Sequence, residues 1–186
     1  DPEMPNRVER ALGQLGVAAK IVDASDGPRM TRFTLELNEL DDLDRLRKGL
    51  TKISFALGFG EDSVSMMLAA AERRVFLNVP RPPAQWRVVS WNEVSPALDG
   101  DAARRMILPL CLGTDILGEP FVIELAEAPH LFIGGTTGSG KSMCLHAILL
   151  SLLHNPSQPQ LVLIDPKAVE FSSYAGARNL RGDVIT

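Results

Sequence analysis

Eight consecutive residues, Gly135-Thr136-Thr137-Gly138-Ser139-Gly140-Lys141-Ser142, carry the clearest chemistry in the chain. They fit the pattern G-x-x-x-x-G-K-[ST], the phosphate loop or Walker A motif. Each residue type has a physical task. The glycines let the main chain curl until successive N–H groups point inward as a nest for an anion. A helix starting near Lys141 adds the positive end of its dipole. The Lys141 ammonium is a point charge for β and γ phosphates, which makes it the candidate catalytic residue. The Ser142 hydroxyl is an oxygen ligand for Mg2+. Together these residues point to the polyphosphate of a nucleoside triphosphate, with ATP and Mg2+ as the expected cofactors. A glycine-rich turn with a purely structural role needs neither the lysine nor the serine.

The motif also has the flanks that its chemistry requires. Leu131-Phe132-Ile133 reads as a short buried strand entering the loop. A helix is expected from about Lys141 to Leu153, with Leu145, Ile148, Leu149 and Leu152 inward. Leu161-Val162-Leu163-Ile164 reads as a second buried strand, ending at Asp165-Pro166. Strand, helix, strand with apolar strands predicts a parallel sheet, hence an α/β fold. Upstream, Ile107–Gly113 and Pro120–Leu125 read as strands around a turn at residues 115–118.

The first 80 or so residues have a different character. Residues 1–20 look helical, and a strand starting at Ile21 breaks at Asp26-Gly27-Pro28. Residues 30–37 alternate with period two, as a half-buried strand does. Leu43, Leu46, Leu50, Ile53 and Leu57 mark an amphipathic helix. Residues 63–70 and 74–79 read as two more strands, stopped by Pro80, Pro82 and Pro83. The result is a small α+β module over residues 1–100, followed by the nucleotide-binding part over residues 101–186.

Composition limits the alternatives. Hydrophobic residues make up 45%, enough for a packed core, and the net charge is −4. Residues 1–100 carry 13 basic and 15 acidic side chains, and residues 101–186 carry 6 and 8, so no basic arm announces nucleic acid. Any DNA contact is local or shared across an oligomer. Cys111 and Cys144 make no disulfide framework. No apolar stretch is long enough to span a bilayer, and no signal peptide opens the chain, which predicts a cytoplasmic setting. No His/Cys/Asp cluster has metal-ligand spacing, so no structural metal is expected.

Four islands resemble the FtsK/SpoIIIE family of DNA translocases. They are residues 27–33 (Gly-Pro-Arg-Met-Thr-Arg-Phe), 112–120 (Leu-Gly-Thr-Asp-Ile-Leu-Gly-Glu-Pro), 129–142 around the phosphate loop, and Ile164-Asp165-Pro166-Lys167 with Glu170 and Tyr174. The loop by itself is shared with many ATPases, and the order of all four islands is more specific. The resemblance implies an α domain stacked on a RecA-like β domain, so that the second part is an incomplete RecA-like P-loop NTPase sheet. It implies a homo-hexameric ring around double-stranded DNA, ATP bound between neighbouring β domains, and a place in chromosome segregation and cell division. The parent is then an ATPase, with any membrane tether lying outside this chain.

Beyond the loop, Asp165, Lys167 and Glu170 are further candidates. Asp165 has two readings: a metal-ordering aspartate, or an aspartate on the strand adjacent to the phosphate-loop strand. Pro166 follows it, so no catalytic base does. Lys167, Glu170 and Tyr174 suit either contact with nucleotide or neighbouring subunit, or a solvated helix start. Arg29 and Arg32 read as an exposed strand face or as facing the channel or a neighbouring subunit, His130 as a hydrogen-bonding residue, and Trp86 and Trp91 as packed on the nucleotide-binding core. These features predict a fragment that binds nucleotide without hydrolysing it efficiently. Two other functions fit the same residues: an FtsK-like ATPase of a secretion or conjugation machine, and a non-hydrolysing ring-assembly module that binds ATP. A phosphotransferase fits less well, because P-loop kinases do not carry this upstream module.

Overall fold

The positions of apolar residues set the elements of the first unit. A computed structural model describes residues 3–128 and 130–186. Asp1 and Pro2, in the segment read as helical, and Pro129, the first residue of the phosphate-loop island, lie outside the described residues. Helix α1 spans Met4–Gln14 and buries Met4, Val8, Ala11 and Leu12. These positions recur every three or four residues, so they form one stripe. Strands β1 (Ala19–Asp26) and β2 (Met30–Leu37) follow, then helix α2 (Asp41–Ala56), β3 (Ser65–Ala69) and β4 (Arg74–Pro80). The four strands form one antiparallel sheet in the order β1-β2-β4-β3.

The core of this unit joins Val8 and Leu12 of α1, Leu46 and Ile53 of α2, and Phe33, Leu35, Leu77 and Val79 of the sheet. Each is at most 1% exposed. Gly49 allows the two helices to approach, since a Cβ there would run into the Leu15 side chain. One buried charge sits at the start of α2. Asp42 is 1% exposed, accepts the Ala18 N–H at 3.3 Å and pairs with Arg45 at 3.0 Å. Those partners, with the helix N-terminus, replace the water it loses. Trp86 belongs to this unit and not to the nucleotide-binding part. Its Nε1 donates to the Arg81 carbonyl at 2.8 Å, and the Arg29 guanidinium lies 4.8 Å from its ring centroid. Arg32 donates to Asn78 Oδ1 at 3.0 Å and lies over Phe76.

Contacts within the chain define two units: Asp1–Val88 with Ile116–Glu119, and Val89–Asp115 with Pro120–Thr186. The second unit opens with short helices α3 (Trp91–Val94) and α4 (Asp101–Arg104). Ser90 caps α3, its N–H and hydroxyl both donating to the Glu93 carboxylate at 2.9 Å. Strands β5 (Pro109–Thr114) and β6 (Pro120–Glu124) pair antiparallel. Glu124 accepts three main-chain N–H groups, from Ile107, Leu108 and Ala126. Burial pushes its carboxyl up, but these donors together hold it below the ordinary value.

Helix α5 spans Lys141–His154. It is fastened to β5 by Ser151, whose hydroxyl accepts the Cys111 N–H at 3.0 Å, and to Ile107 by Asn155, which donates to its carbonyl at 2.9 Å. Cys111 is fully buried and packs with Val94, Leu98 and Trp91.

The fold is mixed α/β, with the antiparallel module in the first unit. In the second, parallel pairing is present but short. It consists of two bridges, Leu161 with Leu180 and Ile164 with Ile185. The two apolar runs expected as buried strands therefore form no ladder. Leu131-Phe132-Ile133 has no regular structure, and Phe132 is 93% exposed. In the other run Leu163 is buried, but Val162 and Ile164 are more than half exposed. An apolar run becomes a buried strand only when neighbours hydrogen-bond to both edges and cover both faces. Among the described residues no strand pairs with 131–133.

Candidate phosphate-binding site

The loop owes its shape to two glycines. Gly138 has φ +80° and Gly140 φ +93°, left-handed conformations that cost an L side chain about 1–2 kcal/mol. Gly140 is the residue from which α5 starts, and its carbonyl accepts the Cys144 N–H at 2.9 Å. The N–H groups of the first turn of α5 have no acceptor within the helix. No acidic residue of α5 itself lies in that turn, so the helix does not neutralise its own positive end. Ser139 closes the loop by donating its N–H to the Thr136 carbonyl at 3.1 Å. A Cβ on Gly135 would meet Ser139 Oγ, so a side chain there would force Ser139 to shift.

A cavity of about 490 Å³ opens over this loop. Of the eight residues singled out from sequence, seven line it: Gly135, Thr136, Thr137, Gly138, Gly140, Lys141 and Ser142. Ser139 is exposed, with its Oγ beside Gly135. Lys141 is exposed at the cavity.

Glu170 comes to the same cavity from a distant part of the chain. Its Oε1 accepts the Ser142 hydroxyl at 2.7 Å. Asp165 fixes the segment that carries it. The Asp165 carboxylate is 6% exposed and accepts the N–H of Glu170 at 2.8 Å and of Phe171 at 3.1 Å. The Asp165 carbonyl also accepts the Ala168 N–H at 2.9 Å. Burial pushes the Asp165 carboxyl up, yet the N–H groups of Glu170, Phe171, Lys167 and Val169 outweigh it and hold the acid below its ordinary value. Neither Asp165 nor Lys167 is among the residues lining the cavity. Lys167 and His130 are exposed.

A second tie lies one helical turn along α5. His146 Nδ1 and the Tyr174 hydroxyl are 2.8 Å apart, and their rings stack at 5.6 Å. Burial raises the Tyr174 pKa. Ser142 and His146 stand four residues apart on α5, and so do their partners Glu170 and Tyr174. The segment after the second apolar run is thereby fastened along one face of the helix. His146 escaped the sequence reading. No pattern local to α5 singles it out, because its partner Tyr174 lies 28 residues away in the chain.

The arrangement presents main-chain N–H groups, an ammonium, a hydroxyl and a carboxylate around one open cavity. Cations and N–H donors suit a polyphosphate. Hydroxyl and carboxylate oxygens are the hard donors that Mg2+ prefers. Among the described residues no three His, Cys, Asp or Glu side chains converge as a metal centre. Nor is any helix there long and apolar enough to cross a membrane.

Comparison with known proteins relates this geometry to a family. A pattern described as the FtsK/SpoIIIE family matches residues 97–185, which include the loop, α5 and Glu170. The chain is 35% identical to the DNA translocase FtsK of Pasteurella multocida over 99% of its own length and 20% of that protein. It is 33% identical to the DNA translocase FtsK of Caldanaerobacter subterraneus subsp. tengcongensis, again over 99% of the chain and over 26% of the relative. It thus spans about a fifth to a quarter of these curated relatives. A solved structure of the pCW3 conjugation coupling protein TcpA, a monomer form with ATPγS, aligns with a TM-score of 0.42 at 20% identity, over 97% of this chain and 49% of that one. Residues 97–185 thus match the FtsK/SpoIIIE family, and nearly the whole chain is similar to these DNA translocases.

Proposed function

We propose that residues 135–142 bind the phosphates of Mg·ATP and that the chain is part of a motor that translocates double-stranded DNA. The observation that carries this reading is the convergence of Gly138, Gly140, Lys141, Ser142 and Glu170 on one cavity at the positive end of α5. Loop and first-turn N–H groups hold the phosphates, and Lys141 neutralises the outer ones. Ser142 is the protein's oxygen ligand for Mg2+. When bound, Mg2+ supplies further neutralisation of phosphate charge. Glu170 accepts the hydrogen bond of the Ser142 hydroxyl, which would leave the serine lone pairs for the metal. Asp165 serves through the main chain, by holding Glu170 in place.

The DNA side of the proposal rests on kinship with translocases. With a net charge of −4 on this chain, the reading is that a few local cations contact DNA, repeated around a homo-oligomeric ring. A hexamer in the cytoplasm, serving chromosome segregation and cell division, belongs to the same proposal. Taken alone, this chain binds ATP and turns it over poorly.

Calorimetry with Mg·ADP and Mg·ATP tests the phosphate reading. Binding is expected for the wild type and its loss for Lys141→Ala. Equal affinities of the two proteins, or no binding by folded wild type, would remove the basis of the assignment. For the parent protein, ATP turnover that rises with double-stranded DNA and loses that response with salt supports the motor. Turnover driven by a polypeptide and indifferent to DNA supports a secretion ATPase instead.

A further inference from the structure

The four-stranded sheet of the first unit has β1 and β3 at its edges, and among the described residues no strand pairs with either on its outer side. An unpaired edge offers a row of main-chain N–H and C=O groups to any extended chain. The two edges are built differently. β1 carries Lys20, Asp23 and Asp26, and its register shifts between Ile21 and Asp23. Charges and a bulge of this kind keep a further strand from docking. β3 has neither. Its five residues, Ser65-Met66-Met67-Leu68-Ala69, carry no charge and no proline, and they pair with β4 without a shift. The uncharged run extends from Ser63 to Ala71.

The side chains on this edge add apolar surface. Met66 packs against the core of the unit. Met67 is 48% exposed and Leu68 45%. Neighbouring residues of a strand point to opposite faces, so apolar surface stands open on both sides of the sheet at this margin. A strand laid along β3 covers both residues and pairs the open main chain at the same time.

Charge selects the occupant. Glu61 and Asp62 precede β3, and Arg73 and Arg74 follow it. Glu72 pairs with Arg74 at 3.5 Å, so the end after the strand keeps a net positive charge. A second copy of β3 running antiparallel brings the acidic end of one strand to the basic end of the other, twice over. Parallel pairing sets like charges together, which is unfavourable.

We infer that β3 pairs antiparallel with β3 of a second copy of this chain, with Met67 opposite its own counterpart. Met66 then meets Leu68 of the second copy, and Ser65 meets Ala69. The contact is two-fold, so it joins two copies and does not by itself close a ring. Five residues span only about 17 Å. A contact of that size is weak, and it forms as concentration rises.

Sedimentation equilibrium of this chain between about 1 μM and about 1 mM tests the pairing. Wild-type protein is expected to move from monomer towards dimer across that range. Met67→Lys sets two cations against each other at the centre of the contact. It is expected to weaken the dimer by about tenfold or more, with an unchanged melting temperature. Val22→Lys, on the other edge, is expected to leave the dimer as it is. Cross-linking reads the register. Cys111 is buried, so the background for it is Cys144→Ser. There Met67→Cys is expected to form a disulfide between copies under mild oxidation, because residues directly opposite bring their Cβ atoms within about 5 Å. Val22→Cys is expected to form none. A monomer at every concentration, or a dimer that Met67→Lys leaves intact, overturns the proposal. Cross-linking through position 22 as readily as through position 67 overturns the assignment to β3. Should Met67→Lys fail to fold, the cross-linking of Met67→Cys decides.

Discussion

Replacing Glu170 by glutamine separates the metal from the phosphates. The side chain keeps its shape, and its amide oxygen still accepts the Ser142 hydroxyl now 2.7 Å from the carboxylate. Only the charge is lost. A hydrogen bond to a charged group contributes about 1.5–3 kcal/mol, and a neutral one about 0.5–1.5. The difference is about 1–1.5 kcal/mol, and the half-buried position of Glu170 favours the lower end. About 1 kcal/mol corresponds to roughly fivefold in affinity. Partners standing behind a metal ligand cost about 10–100-fold in metal affinity when changed. Glu170→Gln is thus expected to weaken Mg·ADP by between about fivefold and tenfold or somewhat more. In EDTA the sign differs, because removing a carboxylate beside a polyphosphate relieves repulsion. Metal-free ADP is expected to bind the variant as well as the wild type, or better. Calorimetric titration of both proteins in Mg2+ and in EDTA, with thermal unfolding as a control for folding, reads both quantities. An equal loss with and without Mg2+ refutes the reasoning, since Glu170 would then act on loop structure and not through Ser142 on the metal.

Two further outcomes follow from the same segment and loop. The Asp165 carboxyl is held below its ordinary value, so the stability it contributes is complete above the unfolded value of about 3.9 and fades as pH falls through the native one. The melting-temperature gap between wild type and Asp165→Asn is expected to be constant near neutrality and to close in acid. A gap that stays unchanged down to about pH 3 contradicts the hydrogen-bonding account. Gly140→Ala places a Cβ at φ +93° and is expected to destabilise the protein by about 1–2 kcal/mol in urea unfolding, with weaker Mg·ADP binding. Unchanged stability would show that the loop relaxes to another path.

The sequence carried much of the first unit and the turn from the loop into α5. Period-two alternation placed β2 at residues 30–37, because alternate side chains of a strand face opposite sides whatever lies beyond. Leu46 and Ile53 marked the inner face of α2 for the equivalent reason in a helix. Gly138, Gly140 and Lys141 were legible because backbone curl and charge are local properties of a few neighbouring residues.

What lay beyond local pattern needed the tertiary structure. Strand formation at 131–133 and 161–164 depends on neighbours that apolar composition cannot supply, so two equally hydrophobic runs gave an unpaired segment and a pair of bridges. The role of Asp165 turned on where its carboxylate points, into its own turn and away from the cavity. The contact of Glu170 with Ser142 joins residues 28 apart, and no periodicity encodes such a pairing. The chain's own order set which groups the phosphate-binding proposal rests on. Folding in three dimensions decided which carboxylate meets the serine, because that is a matter of distance between segments that sequence separates.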